Sequence, residues 1–435
     1  MEPLVRLRGE VTPLPPGAGV PAGRPLSSAI RSLYVLGLLS LISLISYYDR
    51  FVVAILAQNI KRDLHLTDSQ LGLLTGLGFA VIYSGLAIPI ARFSDRGRRV
   101  GVLAASLTLW SAMTALCGLA PNFLGLLLAR MGVGVGEAGA NPTTHALVAE
   151  YFSPRWRAMA LSIIVVMGGV GFMAANAAGG WLADHYSWRM AFLVGAAPGP
   201  FLALLLLLTV REPVRPPEPK TAADNALGPA IRALMSRRAL LLTCLGAGVC
   251  SMASAAVSSW APAFLMREHN LTAGGVGVSY GAVMGVSTIF GLILGGWLGD
   301  TLPRRDGRWA LWLPALAFGL TLPLTAAFLF ATDFKTAVAL AAPMTVVGML
   351  GNCPLYALVQ TLSGSRLRAT GAALYLLAVN LLGTGLGPTL AGWLSDGLHS
   401  LRWALALVAL AYPLGAVLLA SGASAIAEDS LAADR

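Results

Sequence analysis

The sequence predicts an all-α membrane protein with twelve transmembrane helices in two pseudo-symmetric six-helix bundles. Three observations lead to this fold class. Hydrophobic residues make up 56% of the 435-residue chain and charged residues only 11%, whereas a soluble domain carries about 25% charged residues. Apolar stretches of about 20 residues, the length that crosses a bilayer, recur along the whole chain. Finally, a segment of the first half is repeated in the second half.

The apolar stretches define twelve candidate spans, which lie near 32–59, 67–93, 100–119, 122–151, 155–184, 188–210, 239–266, 271–300, 308–330, 334–363, 368–397 and 400–422. The sequence between the sixth and seventh spans is polar and rich in proline, which predicts a linker. The predicted domains are therefore a disordered cytoplasmic tail (1–31), an amino-terminal bundle (32–210), a cytoplasmic linker (211–238), a carboxyl-terminal bundle (239–422) and a second cytoplasmic tail (423–435).

The distribution of basic residues predicts the orientation of these spans. Of the thirty Lys and Arg residues, twenty-two fall in the tails, the linker and the loops on one side, and six fall on the other side. Basic loops remain in the cytoplasm, so we expect both termini to be cytoplasmic. The short loops favour a bacterial inner membrane. This topology accounts for most of the net charge of +10, and we expect no nucleic-acid partner.

An internal repeat relates the two halves. The segment GFMAANAAGGWLAD (171–184) corresponds to GTGLGPTLAGWLSD (383–396) at a constant offset of 212 residues. A second pair, Asp95 and Asp300, follows the second and eighth spans at an offset of 205 residues. Parallel six-helix halves with a site at their interface are a known transporter architecture.

Two loop segments, ARFSDRGRR (91–99) and GWLGDTLPRRDGR (296–308), resemble the loop signature of the major facilitator superfamily. The segments YYDRF (47–51) and RMGVGVGEAG (130–139) are most similar to the Spinster-like branch of that superfamily, whose members move lysolipids and sphingoid lipids. The resemblance covers essentially the whole membrane region and implies alternating access. It also implies a cytoplasmic gate between the halves, formed here by Asp95, Arg96, Arg99, Asp300 and Arg304; a merely solvated basic loop is the alternative.

Four charged residues lie well inside predicted spans: Asp49 and Arg50 in the first, and Arg130 and Glu137 in the fourth. A charge at the bilayer centre costs at least ~2.5–3.5 kcal/mol, so such residues usually face a cavity and have a function. The alternative is a charge pair that only fixes helix packing. Arg130 and Glu137 are about two helical turns apart and therefore share a face. Because the resemblance implies that the first and fourth helices line the central cavity, we expect the four side chains to meet there.

These residues suggest a coupling mechanism. We assign proton coupling to Glu137 and Asp49, with Glu137 as the main coupling acid and Asp49 mainly orienting Arg50. A guanidinium keeps its charge and suits phosphate or carboxylate, so Arg50 or Arg130 is expected to switch between Glu137 and an anionic headgroup. At the offset of 212 residues Glu137 corresponds to Met349, so the coupling chemistry is expected in the first half alone.

Further polar residues in the spans are candidates for lining the cavity: Tyr48, His145, Ser254, Asn352 and Tyr356. His145 is a candidate proton relay, but a simple hydrogen bond to a neighbour is the favoured interpretation. Ser254 and its neighbours are as typical of helix packing as of substrate contact.

The sequence therefore predicts a proton-coupled secondary transporter for an amphipathic anionic solute, such as a lysophospholipid or a sphingoid lipid. A drug or organic-acid carrier of the same superfamily is the alternative, and a non-transporting receptor is a third hypothesis. No phosphate loop for an ATP-driven pump and no H-E-x-x-H pattern is present in the sequence, which argues against a pump and a zinc enzyme. We expect no cofactor and no metal, and a monomer in the lipid bilayer.

Overall fold

The computed structural model describes residues 26–94, 98–212, 227–426 and 429. Their backbone is helical: α1 (Leu26–Leu64), α2 (Asp68–Thr75), α3 (Leu77–Ser94), α4 (Arg99–Leu119), α5 (Phe123–Glu137), α6 (Ala140–Tyr151), α7 (Pro154–His185), α8 (Trp188–Ala196), α9 (Pro198–Thr209), α10 (Leu227–Met235), α11 (Arg238–His269), α12 (Ala273–Thr301), α13 (Trp309–Leu329), α14 (Phe334–Met349), α15 (Asn352–Leu362), α16 (Gly364–Ala378), α17 (Gly387–Leu398), α18 (Leu401–Ala409) and α19 (Ala411–Gly422). A π-helix, Val379–Leu386, joins α16 to α17, and a 3-10 turn, Ala423–Ala425, follows α19.

In the part of the chain that the structure describes, twelve spans are long and apolar enough to cross a membrane. Six spans are single helices: α1, α4, α7, α11, α12 and α13 are spans 1, 3, 5, 7, 8 and 9. The other six are interrupted: α2–α3, α5–α6, α8–α9, α14–α15, α16–α17 and α18–α19 are spans 2, 4, 6, 10, 11 and 12. The predicted all-helical, twelve-span fold is confirmed.

The boundaries differ from the predicted ones in three places. Helix α1 begins at Leu26, inside the segment predicted as tail (1–31). Helix α10 lies inside the predicted linker (211–238) and packs on α11 and α16 through the fully buried Leu234. The 3-10 turn falls in the predicted tail (423–435). Helix α10 was not predicted from the sequence because the neighbouring prolines of the linker indicate a loop. Residues 1–25, 95–97, 213–226, 427–428 and 430–435 lie outside the described residues.

Small residues bring the spans of each half together. In the amino-terminal half, span 5 packs along span 1, and Gly171 faces the backbone of Leu44. A methyl group on Gly171 would overlap the Leu44 carbonyl oxygen and lie 2.9 Å from its carbonyl carbon. Only glycine fits this contact without moving one of the two helices. By contrast, Gly37 on span 1 has open space around it.

Replacing Gly171 with alanine should therefore destabilise the fold, although alanine is the better helix former. Overpacking of this kind costs about 1–3 kcal/mol. The measurement is thermal unfolding of the purified protein in detergent, followed by tryptophan fluorescence. Gly37→Ala is the matched control and should not lower the unfolding temperature. Equal unfolding temperatures for the two variants would contradict the assigned packing.

The two halves meet through spans 5 and 8 and through spans 2 and 11. We call the membrane end where α1 finishes and α2 starts the gate end, and the end where α1 and α11 begin the linker end. Near the gate end, Gly180 packs on the backbone of Ala273, and Gly277 and Gly281 pack on Asn176. Side-chain hydrogen bonds also join the halves at this end, as described below.

Candidate functional site

The structure brings together the four charged residues of the predicted cluster. Nε and Nη2 of Arg50 donate to Oε2 of Glu137 at 3.2 and 2.6 Å. Nη1 of Arg130 donates to the backbone carbonyl oxygen of Asp49 at 3.0 Å. Glu137, Arg130 and Asp49 are almost completely buried, whereas the Arg50 side chain keeps 20% of its surface exposed. Span 1 and span 4 thus form a largely dehydrated cluster that reaches open space through Arg50.

Aromatic rings surround the guanidinium of Arg50. Its central carbon lies 5.1 Å from the ring centre of Phe79, 5.0 Å from that of Tyr83 and 5.9 Å from that of Tyr47. Cation–π attraction of this kind is strongest when the cation is shielded from water. Arg50 is therefore held on one side by a carboxylate and on the others by apolar ring surface.

The Asp49 side chain points away from Arg50, into the interior of the amino-terminal half. Consecutive residues of a helix are about 100° apart, because a turn holds 3.6 residues. Neither Asp49 carboxylate oxygen has a hydrogen-bond partner among the described residues. The hydroxyl of Thr114 and the indole N–H of Trp110, both on span 3, interact with this carboxylate without meeting hydrogen-bond geometry, and the guanidinium of Arg130 attracts it electrostatically. The structure thus does not support the prediction that Asp49 mainly orients Arg50, since their side chains diverge.

Glycine makes room for this acid on span 6. A methyl group on Gly195 would overlap the ring of Tyr48 and lie 3.2 Å from Oδ1 of Asp49. Tyr48 itself is buried, and its hydroxyl donates to the carbonyl oxygen of Ala191 at 3.0 Å. Tyr48 therefore occupies a packing position within the half, which corrects its assignment as a cavity-lining residue.

The remaining predicted lining residues lie on spans 4, 7 and 10. Ser254 on span 7 shares a hydrogen bond of 3.2 Å with the hydroxyl of Tyr412. His145 is exposed, and Asn352 is half-buried. Tyr356 is 37% exposed on span 10. Their contact with a substrate stays a prediction.

The predicted cytoplasmic gate is described only in part. Asp95 and Arg96 lie outside the described residues. Arg99 is buried and forms an ion pair with Glu150, which joins spans 3 and 4 of the same half. Asp300 and Arg304 are exposed at the end of span 8 and just beyond it. The latching role of these residues stays a prediction.

A charged network at the gate end was missed by the sequence analysis. Both carboxylate oxygens of Asp68 on span 2 accept from Arg267 on span 7, at 2.7 and 2.6 Å. Asp68 also accepts from Lys61 at 2.6 Å and from Ser395 at 2.7 Å. Charged residues are common at helix ends, so the local sequence does not indicate that these residues form a network. The only available signal was the repeated aspartate that ends spans 5 and 11.

One sequence pattern associated with hydrolases also occurs in the chain. Residues 277–281, GVSYG, match the spacing G-x-S-x-G. In a hydrolase this pattern forms a sharp turn between a strand and a helix. Here it lies inside the continuous helix α12, where Gly277 and Gly281 contact Asn176 on span 5. The two glycines serve helix packing, and the serine does not sit on a nucleophile elbow.

Twelve spans in two related halves, with a buried charge cluster in one half, define a polytopic membrane carrier. The model of the Major Facilitator Superfamily matches residues 39–383. The chain belongs to that superfamily, a family of transporters and not of enzymes, and it is therefore a secondary transporter.

Two relatives and one solved structure refine the comparison. The chain is 35% identical to an MFS-type efflux pump of Mycolicibacterium smegmatis, over 85% of each chain. It is 28% identical to protein spinster homolog 1 of Homo sapiens, over 85% of this chain and 74% of that protein. A crystal structure of a bacterial homolog to the human lysosomal transporter Spinster, in an inward-facing and unoccupied conformation, superposes with a TM-score of 0.83 at 28% identity, covering 94% of this chain and 99% of that one. The predicted Spinster-like resemblance is confirmed.

Proposed function

We propose that the protein is a proton-coupled transporter that moves an amphipathic anionic solute, such as a lysophospholipid or a sphingoid lipid, by alternating access. The observation that carries the proposal is the pairing pattern of the two buried acids. Glu137 has a cationic partner in Arg50, whereas the carboxylate of Asp49 has no hydrogen-bond partner among the described residues. The two acids therefore have different tasks.

Asp49 is the proton-carrying acid in this proposal. Its carboxylate is completely buried and accepts no hydrogen bond among the described residues, and a charged carboxylate in such surroundings is so unfavourable that the group takes up a proton instead. The carboxylate of Glu137, by contrast, forms an ion pair with the guanidinium of Arg50, which compensates its charge. This assignment reverses the order expected from the sequence, in which Glu137 was the main coupling acid.

The charge balance of the cluster then links proton and substrate. With Asp49 protonated, Arg50 and Arg130 face a single carboxylate, that of Glu137, so the cluster carries one net positive charge. That charge favours an anion beside Arg50, the most exposed member. Loss of the proton from Asp49 makes the cluster neutral and favours release. Proton binding and anion binding therefore support each other.

The surroundings of Arg50 suit an amphipathic ligand. Its guanidinium offers a fork of donors for phosphate or carboxylate. The rings of Phe79, Tyr83 and Tyr47 lie beside that fork and supply apolar surface for the adjoining part of the solute. A headgroup that displaces Glu137 from Arg50 is the exchange that we propose for substrate binding.

The orientation is part of the same proposal. The excess of basic residues predicted at the linker end supports a cytoplasmic position for that end and for both termini, and short loops favour a bacterial inner membrane. Similarity to a structure described as inward-facing supports a gate end closed on the opposite side. We propose a monomer as the working unit.

A drug or organic-acid carrier is the second candidate, because the relative at 35% identity is described as an MFS-type efflux pump. The charge balance of the cluster distinguishes a carrier of an anionic solute from a carrier of a cationic drug. An anionic solute should bind more weakly once the pH rises far enough to remove the proton from Asp49, because the cluster then loses its net positive charge. A cationic drug should bind more tightly under the same conditions.

Transport should depend on an imposed proton gradient, because the site couples a buried acid to an anion site. The measurement is uptake into proteoliposomes of a lysophospholipid, a sphingoid base and a small organic acid, with the gradient intact or collapsed by a protonophore. We expect accumulation of the preferred anion only with the gradient. Equal uptake in both conditions would contradict proton coupling, and binding without any flux would indicate a receptor.

A further inference from the structure

The internal repeat forms the same helix-end contact twice at the gate end. Asp184 ends the Gly-Trp-Leu-x-Asp segment of span 5, and its Oδ2 accepts from the backbone N–H of Gly274 at 2.8 Å. Asp396 ends the corresponding segment of span 11, and its Oδ2 accepts from the backbone N–H of Ser69 at 2.7 Å. Gly274 and Ser69 are the second residues of α12 and α2. Each aspartate thus caps a helix of the opposite half.

The glycine of each segment allows this approach. A methyl group on Gly180 would overlap the carbonyl oxygen of Ala273, the first residue of α12. A methyl group on Gly392 would overlap the carbonyl oxygen of Asp68, the first residue of α2. The repeated segment therefore combines a glycine that admits the helix start with an aspartate, four residues later, that binds its free N–H groups. Such caps are favourable because these N–H groups lack intrahelical partners.

The two contacts are not equally strong. Asp396 accepts three hydrogen bonds, from the backbone N–H groups of Asp68 and Ser69 and from the Ser69 hydroxyl at 2.6 Å. Beside it, the carboxylate of Asp68 pairs in a two-pronged manner with Arg267, whose Nε donates to Gln58 at 2.9 Å. The Asp68 side chain is only 4% exposed. Buried, charge-assisted and two-pronged bonds are the strong ones.

The contact at spans 5 and 8 lacks this reinforcement. Asp184 is exposed to solvent, where charge interactions are weak. The position equivalent to Asp68 is Ala273, which has no carboxylate to recruit a cation, and the position equivalent to Ser395 is Ala183. Both copies of the repeat therefore contain the aspartate cap, but only the copy that ends span 11 lies beside an ion-pair network.

We propose that Asp396 and Asp184 are paired gate residues of unequal strength, which hold the gate end closed between the halves. The contact of spans 2, 7 and 11 contributes most of the free energy that stabilises the closed gate end. The contact of spans 5 and 8 contributes less and breaks more readily. Because both caps cross between the halves, they exist only while the gate end is closed. Their loss should change the balance of conformations.

The test measures conformations directly and needs neither substrate nor a proton gradient, so its outcome is independent of the proposed coupling. Spin labels on Arg62→Cys and Lys335→Cys, exposed positions of opposite halves, report the gate-end distance. Labels on Arg155→Cys and Arg305→Cys report the linker end. The native cysteines, Cys117, Cys244, Cys250 and Cys353, are first replaced by alanine. Distances are measured by pulsed electron paramagnetic resonance.

Asp396→Ala should raise the population with an open gate end by about tenfold, since loss of a helix cap has an effect of this order. Asp184→Ala, the matched variant, should raise it by about threefold or less, because an exposed contact contributes less. Asp396→Asn should lie between wild type and Asp396→Ala, because asparagine keeps one acceptor oxygen whereas Asp396 accepts with both of its carboxylate oxygens. Should Asp396→Ala not fold, the double variant Ser69→Ala, Ser395→Ala removes one bond from each carboxylate and should open the same end.

An equal or larger shift with Asp184→Ala would overturn the inequality. A lower unfolding temperature for Asp396→Ala with unchanged distances at both ends would show that the cap only supports the fold, and would overturn the gate role altogether.

Discussion

Replacing Asp49 with asparagine should abolish gradient-driven accumulation while leaving exchange of substrate across the membrane intact. Asparagine has nearly the volume of the protonated acid and carries no charge, so it fills the buried position without a titratable proton. The cluster then keeps its net positive charge at every pH, and anion binding should lose its pH dependence. Proteoliposome uptake with a gradient and counterflow without one measure the two activities separately.

Asp63→Asn is the matched control, because Asp63 also lies on span 1 but is 44% exposed and pairs with Arg189 at the gate end. The control should accumulate substrate like wild type. Undiminished accumulation by Asp49→Asn would remove this residue from the coupling mechanism. A loss of counterflow as well as accumulation would indicate a structural role instead.

Replacing Glu137 with glutamine should have the second large effect. It should strengthen the binding of an anionic substrate. The change removes the carboxylate that competes with the substrate for Arg50. Hydrogen bonds to charged groups contribute about 1.5–3 kcal/mol, so the affinity for an anionic substrate should rise about 10- to 100-fold. Turnover should fall because the anion is then released slowly. Equilibrium binding tests the expected rise in affinity, and counterflow rates test the expected fall in turnover. Both are measured on the same preparation.

The control is Glu268→Gln, which alters an ion pair with Arg402 at the gate end and should leave the affinity unchanged. Weaker binding by Glu137→Gln would show that the glutamate contacts the substrate directly, as expected for a cationic solute. That outcome would favour the drug-carrier alternative.

Much of the fold was predictable because it follows from local composition. The twelve spans are visible as apolar stretches, and the offset of 212 residues reveals the two halves. The charge cluster was predictable for the same reason, since charges within apolar stretches are rare. The seven-residue spacing of Arg130 and Glu137 places both on the face of span 4 that meets span 1, where the structure finds them.

Side-chain direction was not predictable from spacing. Asp49 and Arg50 are neighbours in sequence, and the sequence suggested that one orients the other. In the structure the Arg50 side chain binds Glu137, whereas the Asp49 side chain points toward span 3. The two differ because adjacent positions on a helix face different neighbours. This difference decides which acid is paired and which is not.

The gate-end network was hidden for another reason. Asp68, Arg267 and Asp396 lie on three different spans at helix ends, where charged residues are common. Their contacts join residues about 200 to 330 positions apart in sequence, and only the packing of the halves brings them together. The repeated aspartate marked the position, but its partner on another span could not be predicted from sequence.

Asp49 should carry the proton of the charge cluster in this conformation. Infrared spectroscopy detects the carbonyl stretch of a protonated carboxylic acid, and comparison of variants at neutral pH assigns it to a residue. We expect a protonated carboxyl band in wild type that is lost in Asp49→Asn and retained in Glu137→Gln. A band that persists in Asp49→Asn and disappears in Glu137→Gln would contradict the account.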